Sequence, residues 1–368
     1  MIFYFIAIPE QCNYFYYEIQ KKRNFFMKQR VLVIGFGFMG QTHAGNLLKN
    51  PNAELAGIVD PCDPAERLRT IKGNKATVTI TPESVAEVPH YHDMDEALRG
   101  CGADAAVIAL PTKLHYGSVM KALECGCHVM VEKPFSIDCA ECESMIRKAA
   151  EQKRVLAVGY VVRHMREYEI LRETVKSNRL GRLRYMSLSR YTGIPAWGNW
   201  NDPEFIKASG GALFDLVSHD IDFARYCLGE PDSITPDPVL CREMNGNLIA
   251  AVLHYPGNNV FVEGGFVTPS HFPFRRNYTA YFENGTLISD APGDFREIAA
   301  GGEMRVEDYS HCDPYYTEMD RFLQAIVTGD DAGLCTGEDA MRSICCCHGI
   351  LSRLNVVEQP GKFQGADL

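Results

Sequence analysis

Val31-Leu-Val-Ile-Gly-Phe-Gly-Phe-Met-Gly40 decides the reading of this chain. Four apolar residues, Val31 to Ile34, read as a buried parallel strand. They run straight into Gly35-x-Gly37-x-x-Gly40, and helix-like sequence follows. Strand, glycine turn and helix in that order suit the pyrophosphate of a dinucleotide. Gly35 allows the tight turn and Gly37 lets the backbone approach the phosphates. Gly40 lets the helix pack closely on the strand, with its free N–H groups toward the anion. Phe38 and Met39 lie in the same turn and are counted with the cofactor-binding residues. Ala53-Glu-Leu-Ala-Gly-Ile-Val-Asp60 reads as a second strand, and Asp60 falls 20 residues after Gly40. An acid there can accept both adenosine ribose hydroxyls and repels a 2′-phosphate, so NAD is expected in preference to NADP. A glycine triplet alone is a weak signal; here its flanks and the acid are all in register.

Beyond Asp60 the alternation continues. A helix and an irregular connection fill Pro61 to Pro89, and Asp95–Arg99 is a short helix. Ala103–Leu110 reads as a strand, residues 115–125 as a helix, His128–Val131 as a strand and Val155–Val158 as another. Asp138-x-x-Glu141 has the form of a capping box opening a helix to Gln152. This βαβ series predicts a doubly wound parallel sheet through about residue 150. After residue 180 the pattern becomes strand-rich: 182–192, 248–255, 259–268, 278–282 and 285–289, with turns such as Pro256-Gly257 and Glu283-Asn-Gly285. Helices are expected at 212–228, 315–328 and 337–354. The expected organisation is an N-terminal extension over 1–28, a Rossmann domain over 29–150, and an α+β domain with a largely antiparallel open sheet over 151–368.

Composition bounds the function classes. With 368 residues, 46% hydrophobic and 23% charged, the chain suits about two globular domains. A net charge of −10 and no basic face argue against a nucleic-acid partner. The 14 cysteines form no paired C-x-x-C array, and Cys345-Cys346-Cys347 point in different directions on a helix. They read as reduced thiols of a cytoplasmic protein, and no metal is expected. The apolar run at residues 1–8 has no basic flank or cleavage site and is too short to span a bilayer, so no membrane association is expected. Met27, directly before the first strand, is the expected natural start, with residues 1–26 either an upstream reading artefact or a loosely held extension; a membrane-tethering leader is the alternative.

Three constellations could carry chemistry. Glu132-Lys133-Pro134 follows the fifth strand, whose carboxyl end faces the cofactor crevice. A lysine there can place an ammonium beside a substrate oxygen; a surface Glu-Lys pair before a loop is the alternative. Gly210-Gly-Ala-Leu-Phe-Asp215-Leu-Val-Ser-His219-Asp-Ile-Asp222 puts Asp215 and His219 at i and i+4 on one helix face. A carboxylate under an imidazole can orient it and support its cationic form; a satisfied structural Asp–His pair is one alternative, and a metal site, for which the sequence offers no third ligand at suitable spacing, is another. Pro111-Thr112-Lys-Leu-His115 follows the fourth strand and could contact the nicotinamide ribose or the pyrophosphate, while His115 reads equally well as a packing residue.

Taken together, these residues resemble the Gfo/Idh/MocA family of NAD(P)-dependent oxidoreductases. The likeness rests on the glycine turn, Asp60, Pro111-x-x-x-His115, Glu132-Lys133-Pro134, and Gly210-Gly211 leading to Asp215-x-x-x-His219-x-x-Asp222. It covers roughly residues 30 to 355. Two departures stand out: Thr112 where many members have Asn, and Val217 where many have Gly. The resemblance implies an active site lined by Lys133, Asp215 and His219, and an open sheet that often forms an oligomer interface, so a homo-dimer or -tetramer is expected. The substrate class it implies is a sugar, cyclitol or related polyol with a secondary hydroxyl. His219 would accept the hydroxyl proton as hydride leaves for nicotinamide, and Lys133 would stabilise charge on the oxygen. Arg163, Tyr191, Trp197 and Trp200 are candidate substrate contacts. An NAD-dependent glycosidase using transient oxidation and a non-enzymatic dinucleotide sensor are the two other functions kept open.

Overall fold

Val31, Leu32 and Val33 are fully buried, as an interior strand covered on both faces requires. The computed structural model describes residues 28–70, 80–193, 202, 205–206, 209–243, 247–267, 271–331 and 333–354. The expected N-terminal extension falls outside the described residues, except Lys28 at its end.

Strands β1 (Gln29–Ile34), β2 (Ala53–Val59), β3 (His90–Tyr91), β4 (Ala105–Ile108), β5 (His128–Glu132) and β6 (Leu156–Gly159) form a parallel sheet in the order β3-β2-β1-β4-β5-β6. The order reverses between β1 and β4, where a doubly wound sheet opens its ligand crevice. Helices α1 (Phe38–Lys49), α2 (Pro64–Thr70), α3 (Met94–Gly100), α4 (His115–Glu124) and α5 (Cys139–Gln152) make the crossovers. Asp138 caps α5 by accepting from the Ala140 N–H, but the reciprocal half of the expected box is missing, because Glu141 accepts from Ser136 Oγ instead.

The expected boundary at residue 150 falls too early. β6 pairs with β5 in the first sheet, so the N-terminal domain includes it. The chain then passes through α6 (Arg166–Ser177) into a second sheet: β7 (Leu183–Gly193), β8 (Ser233–Pro236), β9 (Leu248–Tyr255), β10 (Asn258–Val267), β11 (Arg275–Phe282), β12 (Gly285–Ser289), β13 (Asp294–Ala299) and β14 (Met304–Asp308). Its order is β14-β13-β12-β11-β7-β10-β9-β8. Every pairing is antiparallel except β7 with β10, which is parallel. The sequence reading missed β3, β8, β13 and β14, which are short or carry polar residues that hide the strand alternation.

A helical segment, Leu213–Val217 followed by α7 (Ser218–Leu228), covers the inner face of this sheet. Beyond it come α8 (Pro238–Glu243), α9 (Pro314–Thr328) and α10 (Gly337–Leu354). One core lies under the second sheet, with Tyr168, Phe223 and Tyr278 at its centre. Two more flank the parallel sheet. Met319, Phe322 and Leu323 of α9 join Val31, Val33 and Ala44, so the C-terminal helices return to the first domain.

Candidate active site

The glycine turn has the space and strain its sequence predicts. Gly35 has φ +90°, and a Cβ on it would meet the Ala109 carbonyl oxygen at 2.6 Å. A Cβ on Gly40 would lie 1.9 Å from Gly35 O, so only glycine lets α1 come this close. A Cβ on Gly37 would meet nothing within 4 Å. Gly37 is the N-cap of α1 and gives it no side-chain cap, which leaves backbone N–H groups for an anion. These features fit a dinucleotide pyrophosphate.

Asp60 is 4% exposed, and both its oxygens have protein partners. Oδ2 accepts from the Phe36 N–H at 2.8 Å; Oδ1 accepts from the Cys62 N–H at 2.9 Å and from Arg67 Nε at 2.8 Å. The acid therefore braces the glycine turn and carries a guanidinium beside it. The partner Arg67 lies seven residues on, within α2.

Lys133 stands at the end of β5, before a cis Lys133–Pro134 bond. Its Nζ donates to Asp215 Oδ1 at 2.7 Å and to the Asp215 carbonyl at 2.8 Å. Residues 213–217 wind as a π-helix, a form that often marks functional sites, and Asp215 lies at its centre. Lys133, Asp215 and His219 line one cleft of about 440 Å³, together with Phe38, Met39 and Glu132. The cleft joins the glycine turn to the second domain.

His219 is 8% exposed, its Nδ1 has no hydrogen-bond partner, and its ring meets the Tyr160 ring edge-on at 5.6 Å. Burial, and then the charges of Lys133, Arg190 and Arg276, push its pKa well below the ordinary value of 6.5. This corrects the expectation that Asp215 supports an imidazolium: the Asp215 carboxylate is bound to Lys133, and the charges acting on His219 are cations. The imidazole is held neutral, which is the form of a proton acceptor.

Other expected site residues are placed differently. Arg163 is 1% exposed and does not line the cleft. It forms a bidentate pair with Asp222, both bonds at 2.7 Å, and donates to the Leu334 carbonyl and to Asp339. It is an internal clamp, and Asp222 is its counter-ion. His115 is equally enclosed: Nδ1 faces the Pro134 carbonyl at 2.9 Å and Nε2 the Leu110 carbonyl at 2.8 Å. Burial lowers its pKa, so the neutral ring donates to one of these carbonyls while the other encloses the second nitrogen, and no ring nitrogen is left for the cofactor. Pro111 and Thr112 follow β4 at the crevice edge, but Ala109 and Leu110 supply the lining there. Tyr191 points away from the cleft toward Glu263. Its neighbours Arg190 and Thr192 face inward instead, since Met186, Leu188, Arg190 and Thr192 share one buried parity of β7. That parity was readable in the sequence. Trp197 and Trp200 lie outside the described residues.

Arg190 and Arg276 are among the cleft residues that went unread. Arg190 pairs with buried Asp220 through two bonds of 3.0 Å, and Arg276 Nη1 donates to Glu167 Oε1 at 2.6 Å. With Lys133 on Asp215, three cations of the cleft are balanced by their own acids.

Residues 29–160 match the family described as "Oxidoreductase family, NAD-binding Rossmann fold", and residues 168–288 match the "GFO/IDH/MocA C-terminal domain". The chain belongs to the Gfo/Idh/MocA family. Among its relatives, scyllo-inositol 2-dehydrogenase (NAD(+)) of Bacillus subtilis is 32% identical over 204 residues, 54% of each chain. D-glucoside 3-dehydrogenase of Escherichia coli is 30% identical over 207 residues, 55% of this chain and 54% of that protein. These matches span about half the length of either relative. Inositol 2-dehydrogenase of Arthrobacter sp. is 25% identical over 340 residues, 89% of this chain and 94% of its own length. In fold, the Gfo/Idh/MocA chain resembles UDP-N-acetylglucosamine 3-dehydrogenase from Acidithiobacillus ferrooxidans, with TM-score 0.71 and 22% identity over 91% of this chain and all of that one. The N-terminal domain is the family's NAD-binding Rossmann fold.

Proposed function

We propose that the protein is an NAD-dependent dehydrogenase acting on a secondary hydroxyl of a cyclitol, sugar or related polyol. The observation that carries this reading is the meeting of Lys133, Asp215 and neutral His219 in the cleft that also holds the glycine turn. Bound NAD would supply the hydride acceptor there. Lys133 polarises the substrate hydroxyl and stabilises negative charge on its oxygen as the proton leaves. His219 takes that proton as general base. An imidazole so depressed is a weak base, so the ammonium's acidifying effect on the hydroxyl is needed to match the two groups. Asp215 holds Lys133 in place and offers an acceptor to the hydroxyl.

A neutral, hydroxyl-rich ring suits the cleft because its cations already have counter-ions and its free donors and acceptors remain available. The inositol and glucoside dehydrogenases among the relatives support this class. A panel of inositols and pyranosides with NAD, followed by NADH absorbance, tests it. Steady NADH accumulation with one member is expected. Bond cleavage of a glycoside without net NADH would replace this reading with transient oxidation.

The outer face of the second sheet supports a homo-oligomer. Tyr185 packs against both Phe261 and Tyr281 at 5.3 Å, and Phe261, Tyr281, Met304 and Val306 are exposed. Light scattering of the purified protein should give a dimer or tetramer mass. The 13 cysteines among the described residues are free thiols, in keeping with the cytoplasm.

A further inference from the structure

Gly40 and His43 are three residues apart on α1 and share the face that packs on the sheet. The close approach at Gly40 fixes that face against the glycine turn. His43 is therefore delivered, fully buried, to the end of β5. There its Nε2 lies 2.6 Å from Glu132 Oε1. Its Nδ1 has no partner, so a proton on Nδ1 would be buried without an acceptor, and the Nε2–H tautomer is the one its surroundings hold. Glu132 Oε2 accepts from the Lys133 N–H at 3.3 Å. Gly159 of β6 makes room for the carboxylate, since a Cβ there would stand 3.2 Å from Oε2. From α9, Glu318 and Tyr315 also stand near it, and neither supplies a positive charge.

Glu132 lines the cleft directly before Lys133, so it is a second carboxylate within reach of the lysine turn. We propose that His43 is a positioning residue for Lys133: it holds the Glu132 carboxylate toward α1 and so leaves the ammonium to Asp215. The glycine motif that cradles the cofactor thereby also sets the charge environment of the lysine, through Gly40, His43 and Glu132 in turn. Without His43, a nearly buried carboxylate lacks its donor and turns to the adjacent lysine, since an unpaired buried charge is far costlier than a paired one. This inference rests on the reading that Lys133 acts at the reacting oxygen.

Lys133 reactivity tests the proposal without any substrate. Trinitrobenzenesulfonate reacts with the uncharged amine, so a second carboxylate beside Lys133 slows its modification at fixed pH. The modified peptide is quantified by mass spectrometry. His43→Leu should slow Lys133 modification ~fivefold or more, the effect of a carboxylate neighbour on the order of one pKa unit. His43→Gln, which keeps a donor near the Nε2 position, should react as the unaltered protein does. Adding Glu132→Gln to His43→Leu should restore the rate. NAD affinity, measured by titration, should stay within ~threefold throughout, because the pyrophosphate is held at the helix N-terminus. If His43→Leu does not fold, His43→Asn, too short to reach Glu132, takes its place. An unchanged lysine rate in the shortened variant, or no recovery with Glu132→Gln, overturns the proposal and leaves His43 a packing residue. Failure of the polyol panel would overturn the dehydrogenase reading alone, since the lysine rates are measured without it.

Discussion

Lys133 gives up two hydrogen bonds if its side chain is truncated, and with them the only ammonium among the described residues lining the cleft. Lys133→Ala should lower turnover ~100-fold or more, since one well-placed electrostatic donor is worth ~3 kcal/mol. NAD titration should show little change. His219 makes a separate prediction through its sign. Burial lowers its pKa, so the base stays unprotonated as the pH falls through 6.5. kcat/KM should hold across pH 6.5 and fall only well below it, and His219→Ala should be slow at every pH with that acid limb gone. At the adenosine end, Asp60 repels a 2′-phosphate while Arg67 offsets part of its charge. NAD should bind more tightly than NADP, and Arg67→Ala should widen the gap. Titration of both cofactors decides; a narrower gap in the variant contradicts this account.

Among the elements, α1 depends most on one residue. Gly40→Ala places a methyl against the Gly35 backbone oxygen, which cannot move without opening the turn. NAD affinity should drop by at least ~tenfold with a lower melting temperature, a strained core contact being worth ~1–3 kcal/mol. α9 carries a different liability. Glu318 is 2% exposed, both its oxygens lack hydrogen-bond partners although His164 Nε2 stands 3.9 Å from Oε1, and burial raises its pKa well above 4.5. The folded state thus keeps a proton that the unfolded chain releases above about pH 4.5. Stability from this group is full below that pH and declines as pH rises toward the folded pKa. Glu318→Gln should raise the melting temperature by on the order of a few degrees at pH 8 and by less at pH 5. An equal gain at both pH values would show that the carboxyl is not the cause.

Over the whole molecule, Arg163 joins parts that the chain separates widely. It links the turn after β6 to Asp222 on α7 and to Asp339 on α10. Arg163→Leu leaves Asp222, 1% exposed, without its counter-ion. Breaking such a buried pair typically removes ~3–5 kcal/mol, and a denaturant melt should show a loss of that size. Had Arg163 been a substrate contact, the loss would fall on KM with stability nearly unchanged.

The parallel sheet was legible because each of its signals is local. β1 and β5 are short apolar runs, and their turns carry glycine, proline and capping residues within a few positions. The family motifs also brought Lys133, Asp215 and His219 forward. Chemistry at longer range was not legible. That Asp215 serves Lys133 and not His219 depends on two segments 82 residues apart meeting at a π-turn. Arg163 and His115 carry the residue types of a ligand site, and only packing shows that buried Asp222 and two carbonyls already hold them. Strand parity could have placed Arg190 inside and Tyr191 outside, but not the buried Asp220 that fixes the guanidinium. Periodicity and turn chemistry are properties of neighbouring residues, so the sequence by itself determined most of the elements and the cofactor fold. Which charge pairs with which is set by distances between remote elements, so only the tertiary structure decided how the cleft is wired.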